Sequence, residues 1–169
     1  MISNNGNKYT IKFVTTCKGR LTHIQETLPL LWEQAKQDIV MVDYSCPQKS
    51  GQWVEKNYPQ VHVVRVNKDG FNVSDARNQG ARDLTCDFIC FIDADVKVYP
   101  GFLEWLNGNL NPYCFYTIAK TNGPNELWGT IIVPTQAYKL IRGYDELFSG
   151  WGARMMIFIT ALRFQAFHN

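Results

Sequence analysis

The sequence predicts an α/β fold, a mostly parallel β-sheet flanked by helices, with a smaller mixed β region toward the C-terminus. Three observations carry this. Apolar runs rich in β-branched residues alternate with segments of helical apolar spacing over residues 9–100. The runs ending at Thr16, Val42, Val66 and Ile92 are each followed by polar or turn-forming residues. After Pro100 the alternation gives way to short strand-like pieces separated by turn-rich stretches.

Tyr9 to Thr16 alternates and branches as a strand does, Cys17-Lys18-Gly19-Arg20 breaks the pattern, and Leu21 to Ala35 carries apolar residues at helical spacing. Asp38 to Val42 is a continuous apolar run ending at Asp43, as befits a strand covered on both faces. Ser45-Cys46-Pro47 then turns the chain into a helix-like segment through Trp53 and Val54. Val61 to Val66 predicts a third strand, Val73 to Leu84 a helix with Ser74 as its N-cap, and Asp87 to Ile92 a fourth strand. Farther on, Gly101 to Leu106 is a short amphipathic piece and Asn107 to Pro112 a turn-rich one. Cys114 to Ala119 and Leu127 to Val133 are strand-like, separated by Thr121-Asn122-Gly123-Pro124. With no internal repeat or low-complexity linker, a single domain over residues 1–169 is expected.

At 169 residues, with 46% hydrophobic and 19% charged content, the chain can bury one sizeable core. Seventeen Lys and Arg against 15 Asp and Glu leave a net charge of +2, and no basic run points to nucleic acid as a partner. The five cysteines are odd in number and widely spaced, which fits free thiols in a reducing compartment better than a disulfide framework; Cys86 and Cys90 lack zinc-knuckle spacing. Met1 to Lys8 is polar, and no run approaches the roughly 18 apolar residues of a membrane span, so a cytoplasmic location is expected.

Ligands of open parallel sheets lie beyond the carboxyl ends of the strands, which gives most weight to Thr15 to Arg20, Asp43, and Asp93 to Asp95. If the backbone stays extended through Val96 to Tyr99, strand alternation aims the carboxylates of Asp93 and Asp95 to one side. Two hard oxygen donors suit Mn²⁺ or Mg²⁺, which takes its other ligands from phosphates and water. A lone acid-x-acid pair equally suits a solvated strand end. Arg77 has the fork geometry to grip phosphate oxygens, or it complements Asp83 or a strand-end carboxylate. Asp75 also fits a first-turn helix acid, Asp43 a cap, and Lys18 and Arg20 solvated loop charges. His23, His62 and His168 are too scattered to form a metal site. Trp128 and Trp151 can stack on a sugar ring, though large aromatics more often fill cores.

Thr16-Cys17-Lys18-Gly19-Arg20, Asp43, Ser74-Asp75-Ala76-Arg77-Asn78-Gln79-Gly80 and Asp93-Ala94-Asp95 occur in that order on successive units. Together with Gly143-Tyr144-Asp145-Glu146 and Gly150-Trp151-Gly152, the set resembles glycosyltransferase family 2 and its GT-A relatives over nearly the whole chain to Gly152. The resemblance implies a GT-A, Rossmann-like fold in which residues 1–100 form a nucleotide-binding half and residues 101–152 an acceptor-side half. It implies inverting transfer of a sugar from a nucleotide-diphosphate donor, with UDP favoured by the placement of Asp43, to a glycan or lipid-linked hydroxyl acceptor. Mn²⁺ or Mg²⁺ is the implied cofactor, and peripheral membrane association is compatible with such acceptors. Carried over, nucleotide-binding roles fall on Thr15, Thr16, Cys17, Lys18, Arg20, Asp43, Asp75, Arg77 and Asp93. Metal binding falls on Asp95 with Asp93, and acceptor-side roles on Trp128, Asp145, Glu146 and Trp151.

The ending departs from the resembled pattern, in which Glu-Asp or Glu-Asn follows the Gly-Trp-Gly segment and an acid there acts as the catalytic base. Here Ala153-Arg154-Met155-Met156-Ile157 follows, and neither Met nor Arg can take a proton from an acceptor hydroxyl, so the catalytic residue is unknown. Met155-Met156-Ile157 must be encoded ATG-ATG-AT followed by T, C or A, and the frame one base earlier reads Asp-Asp. Residues 153–169 are therefore expected to be an atypical tail, out of frame after a single-base shift near Gly152; a diverged relative ending in an apolar helix over Met155 to Phe167 is the alternative. Two further functions stay open: a catalytically impaired nucleotide-sugar or glycan binding module, and a phosphotransferase of the haloacid-dehalogenase type, whose nucleophile motif Asp93-Ala94-Asp95-Val96 mimics but at the fourth strand rather than the first.

Overall fold

The computed structural model describes residues 9–118, 129–147, 158–160 and 162. The chain builds a six-stranded sheet in the order β3-β2-β1-β4-β6-β5. β1 (Ile11–Cys17), β2 (Ile39–Tyr44), β3 (His62–Val66) and β4 (Phe88–Asp93) run parallel. β6 (Ile131–Pro134) is antiparallel to β4 and carries the two-residue β5 (Tyr116–Thr117) on its outer edge. The mixed region expected after Pro100 is thus an extension of the same sheet.

The helices are α1 (Leu21–Ala35), α2 (Ser50–Asn57), α3 (Val73–Ala81), α4 (Phe102–Asn109) and α5 (Thr135–Leu140), with a 3-10 turn at Lys36–Asp38. Strand alternation sorts the core into two layers. Phe13, Met41, Phe88 and Cys90 face a cluster with Ile24, Leu28 and Leu31 of α1 and Val54 of α2. Val14, Val42, Ile89 and Phe91 face the other, with Ala76 and Ala81 of α3 and Tyr138 of α5. Every residue of β2 is buried, whereas the edge strand β3 buries only Val66 fully.

Strands expected over Tyr9 to Thr16, Asp38 to Val42 and Asp87 to Ile92 each run one residue farther into the polar sequence at the carboxyl end, or two in the case of β2. The ladder causes this, because Cys17 pairs with Asp43 and Thr16 with Asp93, so neighbouring strands extend one another. α3 stops at Ala81 rather than Leu84. Its N-cap is also not Ser74: the Asn72 side chain accepts from the backbone N–H groups of Ser74 and Asp75, and Ser74 Oγ is buried with no hydrogen-bond partner. The cap lies one residue before the helix, so Asn72 takes the place that composition assigned to Ser74.

Candidate active site

The carboxyl ends of three adjacent strands define the site. Cys17 of β1 is in register with Asp43 of β2, and Thr16 of β1 with Asp93 of β4, which sets the first loop between the two acids. Thr15, Thr16 and Cys17 are buried in β1, so their side chains shape the loop base. Lys18 and Gly19 leave the sheet, with Gly19 at φ +68°, and Arg20 occupies the N-cap position just before α1.

Asp93 is the last residue of β4, and the chain turns at Ala94–Asp95, closed by Val96 N–H donating to the Asp93 carbonyl at 3.1 Å. The extended continuation expected after Asp93 is replaced by this turn. Thr27 Oγ1 of α1 donates to the Ala94 carbonyl at 2.9 Å and fixes it. Each carboxylate then meets a different arginine. Arg77 Nη2, from α3, donates to Asp93 Oδ1 at 2.7 Å, and Arg20 Nη1, from the first loop, pairs with Asp95 Oδ2. The Asp93 side chain is 24% exposed and that of Asp95 35%, so both acids keep a solvent-facing side.

Arg77 is almost fully buried and its donors are largely committed to protein. Nη1 donates to Tyr144 Oη at 3.1 Å, and Nη2 also reaches the Gly129 carbonyl at 2.7 Å. Its guanidinium lies 5.7 Å from the Phe91 ring centroid and 5.3 Å from that of Tyr144. Burial works against its charge, but Tyr144 and Asp93 outweigh it and hold the guanidinium protonated. This places Arg77 as the clamp on Asp93. Gly129 closes the other side: a Cβ there would lie 1.8 Å from Asp93 Oδ2, so only glycine lets the carboxylate stand where it does.

Asp43 sits differently from Asp93 and Asp95. Oδ1 accepts from Cys46 N–H and Oδ2 from Gly51 N–H, both at 2.8 Å, so the acid closes the β2–α2 turn. It also lines a polar cavity of about 160 Å³ with Ser45, Cys46, Lys49, Gln52, Arg65 and Asn67. Asp75 faces inward, accepting from Tyr44 Oη at 2.6 Å, Lys68 Nζ at 2.8 Å and Gln79 Nε2 at 3.0 Å. Burial pushes its carboxyl up, yet Lys68, Tyr44 and Gln79 together hold it below the ordinary carboxylate range. Lys18 Nζ donates to the Gly70 carbonyl and lies over the Tyr44 ring.

On the far side, the Asn78 side chain ties α3 to Tyr138, Tyr144 and Glu146. Its Oδ1 accepts from Tyr144 N–H at 2.9 Å and Tyr138 Oη at 2.6 Å, and Nδ2 donates to Glu146 Oε1 at 2.8 Å. Gly143, at φ +75°, leaves no room for a Cβ beside Asn78 Oδ1. Asp145 Oδ1 accepts from Leu147 N–H at 2.9 Å, and Asp145 and Glu146 are exposed. Trp128 and Trp151 lie outside the described residues. Of the tail, Phe158 and Leu162 are buried, and the Phe158 ring stacks on Tyr144 with centroids 4.0 Å apart.

A family profile described as Glycosyl transferase family 2 matches residues 13–164. The chain belongs to that family. Its fold is shared with solved glycosyltransferases. A mannosyltransferase, PcManGT, from Pyrobaculum calidifontis, in complex with GDP-Man and Mn²⁺, superposes with a TM-score of 0.73 at 13% identity, over 94% of this chain and 53% of that one. S. aureus TarS in complex with UDP-GlcNAc gives 0.70 at 17% identity, over 90% and 53%. This family 2 chain thus spans about half the length of the solved proteins it resembles. A comparison with curated proteins gave no match.

Within this family 2 chain, sequence reasoning picked out Arg77, Arg20, Asp93 and Asp95, which the fold brings together. It did not weigh Gly129, Asn78, Tyr144, Tyr44 or Lys68 as parts of the site. Asn78 and Tyr144 fall within the segments Ser74–Gly80 and Gly143–Glu146 that carry the family resemblance, but Gly129 precedes a strand with no marker of its role. Among the described residues no cluster of three or more His, Cys, Asp and Glu is placed to hold a metal, and no helix is long and apolar enough to cross a membrane.

Proposed function

We propose that this chain transfers a sugar from a nucleotide-diphosphate donor, UDP-linked by preference, to a hydroxyl of a glycan or other acceptor, with inversion and with the help of Mn²⁺ or Mg²⁺. One observation carries the reading: two carboxylates at the mouth of the sheet, Asp93 and Asp95, each stand against an arginine and each keep a solvent-facing side. The donor set fits a hard divalent ion that takes one or two protein carboxylates and fills its shell with phosphate oxygens and water. Two of the solved relatives in fold carry GDP-Man with Mn²⁺ and UDP-GlcNAc, which supports the same donor class here.

When bound, the metal supplies positive charge against the departing diphosphate. The protein's own residues do the rest. Arg77 and Gly129 hold the Asp93 carboxylate in one orientation, so no reorganisation is needed when the donor arrives. Arg20, on the exposed flank of Asp95, and Lys18, on the same loop, offer two cations to the diphosphate. Thr15, Thr16 and Cys17 shape the wall beside the nucleoside, and Asp43, lining its polar cavity, retains lone pairs for a base N–H. Asp75 braces the β2 end through Tyr44, while Asp145 and Glu146 flank the acceptor side. No base is assigned, because the position after Gly152 holds Ala153 and Arg154 in place of an acid.

Calorimetry with UDP and GDP, with and without Mn²⁺, beside a transfer assay over a panel of nucleotide sugars, tests this reading. Mn²⁺-dependent binding of a nucleoside diphosphate that disappears in Asp95→Asn is the expected result. Nucleotide binding indifferent to both Mn²⁺ and Asp95→Asn would overturn it, and tight binding without turnover would recast the chain as a binding module.

A further inference from the structure

Two cysteines that the proposed transfer does not need as thiols meet beneath the first loop. Cys17, the last residue of β1, is fully buried and donates from Sγ to Ser50 Oγ at 3.2 Å. Cys46, in the β2–α2 turn, lies 2.8 Å from the same hydroxyl, so the two sulfurs are held on one atom. The backbone brings them there: Cys17 is in register with Asp43, and Asp43 Oδ1 curls the next turn back by accepting from Cys46 N–H.

The two thiols differ in chemical character. Cys46 lines the polar cavity beside Lys49 and Arg65, and Gly19 N–H donates to its sulfur at 3.2 Å. Burial pushes its thiol up, but Ser50 and the backbone amides of Gly19 and Gln48 outweigh burial and hold it below the usual thiol value. Burial pushes Cys17 up to about 11, against its hydrogen bond to Ser50, and the neighbouring Cys46 sulfur adds to the rise. One sulfur therefore lines a cavity with its thiol held below the usual value, and the other lies behind it with its thiol held above that value.

We propose that Cys46 and Cys17 form a peroxide-sensitive pair, Cys46 as the attacking sulfur and Cys17 as the resolving one, closing to a reversible disulfide across Ser50. The Cys46 thiolate attacks one oxygen of hydrogen peroxide, the O–O bond breaks, and the departing hydroxide leaves as water after taking a proton, leaving Cys46 as a sulfenic acid. Cys17 sulfur then displaces the sulfenic hydroxyl. Its proton departs with that hydroxyl as a second water, and the Ser50 hydroxyl lies on the path between them. Two thiols are oxidised by two electrons and one peroxide is reduced to two waters. The bond would tie β1 to the β2–α2 turn at the foot of the loop. This inference does not rest on the nucleotide-sugar reading.

The test treats the full chain with hydrogen peroxide and maps peptides without reduction. The expected result is an intact mass lower by two hydrogens, a Cys17–Cys46 cross-linked peptide, and loss of both changes on adding dithiothreitol. Cys46 is expected to react before Cys114, although Cys114 is exposed and Cys46 is buried. In Cys17→Ala the Cys46 sulfenic acid should persist long enough for dimedone to trap it. A wild-type map in which Cys46 advances to sulfinic acid while Cys17 stays a free thiol, or in which only Cys86, Cys90 or Cys114 is oxidised, would overturn the proposal without any variant having to fold.

Discussion

Arg77 Nη2 stands 2.7 Å from Asp93 Oδ1 and 2.7 Å from the carbonyl of Gly129, joining α3, the end of β4 and the approach to β6 through one nitrogen. The orientation of the Asp93 carboxylate is therefore set by an arginine sixteen residues earlier in the chain. Removing the cation leaves a carboxylate, a carbonyl and a hydroxyl facing an emptied site. Arg77→Ala is expected to lower the unfolding free energy by roughly 3–5 kcal/mol, as when one partner of a buried pair is lost. Arg77→Lys should recover only part of this, because an ammonium cannot span three partners in fork geometry. Urea denaturation of the three proteins measures both.

Gly129→Ala is a finer probe of the same acid. With the added methyl 1.8 Å from Asp93 Oδ2, the carboxylate has to rotate away from its present position. A stability loss of about 1–3 kcal/mol follows from overpacking. Mn²⁺ affinity, read by calorimetry in the presence of UDP, should fall on the order of tenfold or more.

Asp95→Asn should separate binding from folding. The Arg20–Asp95 pair is 47% and 35% exposed, so its loss should change stability by less than about 1 kcal/mol. Metal-dependent nucleotide binding, by contrast, should be abolished. A large drop in melting temperature would show that Asp95 acts mainly as a structural acid.

Gly80→Ala tests the seat of α3. Its Cβ would lie 2.6 Å from Val14 Cγ1 and 2.7 Å from Val42 Cγ2, so the helix must lift off the sheet or the valines must repack. A destabilisation of about 1–3 kcal/mol is expected, and because α3 carries Arg77, metal affinity should weaken with it.

The acid limb of stability should depend on Asp75. Its folded carboxyl is held low by Lys68, Tyr44 and Gln79 against burial. Stability from the charged form is thus fully present above the unfolded value of about 3.9 and is lost as pH falls through the depressed folded value. Asp75→Asn should therefore cost most near neutral pH, and its difference from wild type should shrink as pH drops below about 4. Urea midpoints across that range would show it.

Local periodicity decides much of what was legible. Leu21–Ala35 was expected as a helix with the boundaries it has, because its apolar spacing is set by neighbours three and four residues away. Short apolar runs rich in β-branched residues likewise marked all four parallel strands, and their polar ends located Asp93, Asp95 and Arg20. Alternation failed at Ala94, where a turn held by Thr27 from α1 takes over from the strand. It also left Asp43 open between a cap and a ligand-facing acid, whereas the folded chain has both its oxygens on the α2 turn while it lines a cavity.

By itself, then, the sequence determined the elements, their order and the family whose motifs they carry. Tertiary structure decided what each charged side chain does. Arg20 finds Asp95 across 75 residues and Asn78 finds Tyr144 across 66. A chain's local pattern reports burial and propensity over a few residues, whereas hydrogen-bond partners and the desolvation that fixes a carboxylate arise only when distant segments meet.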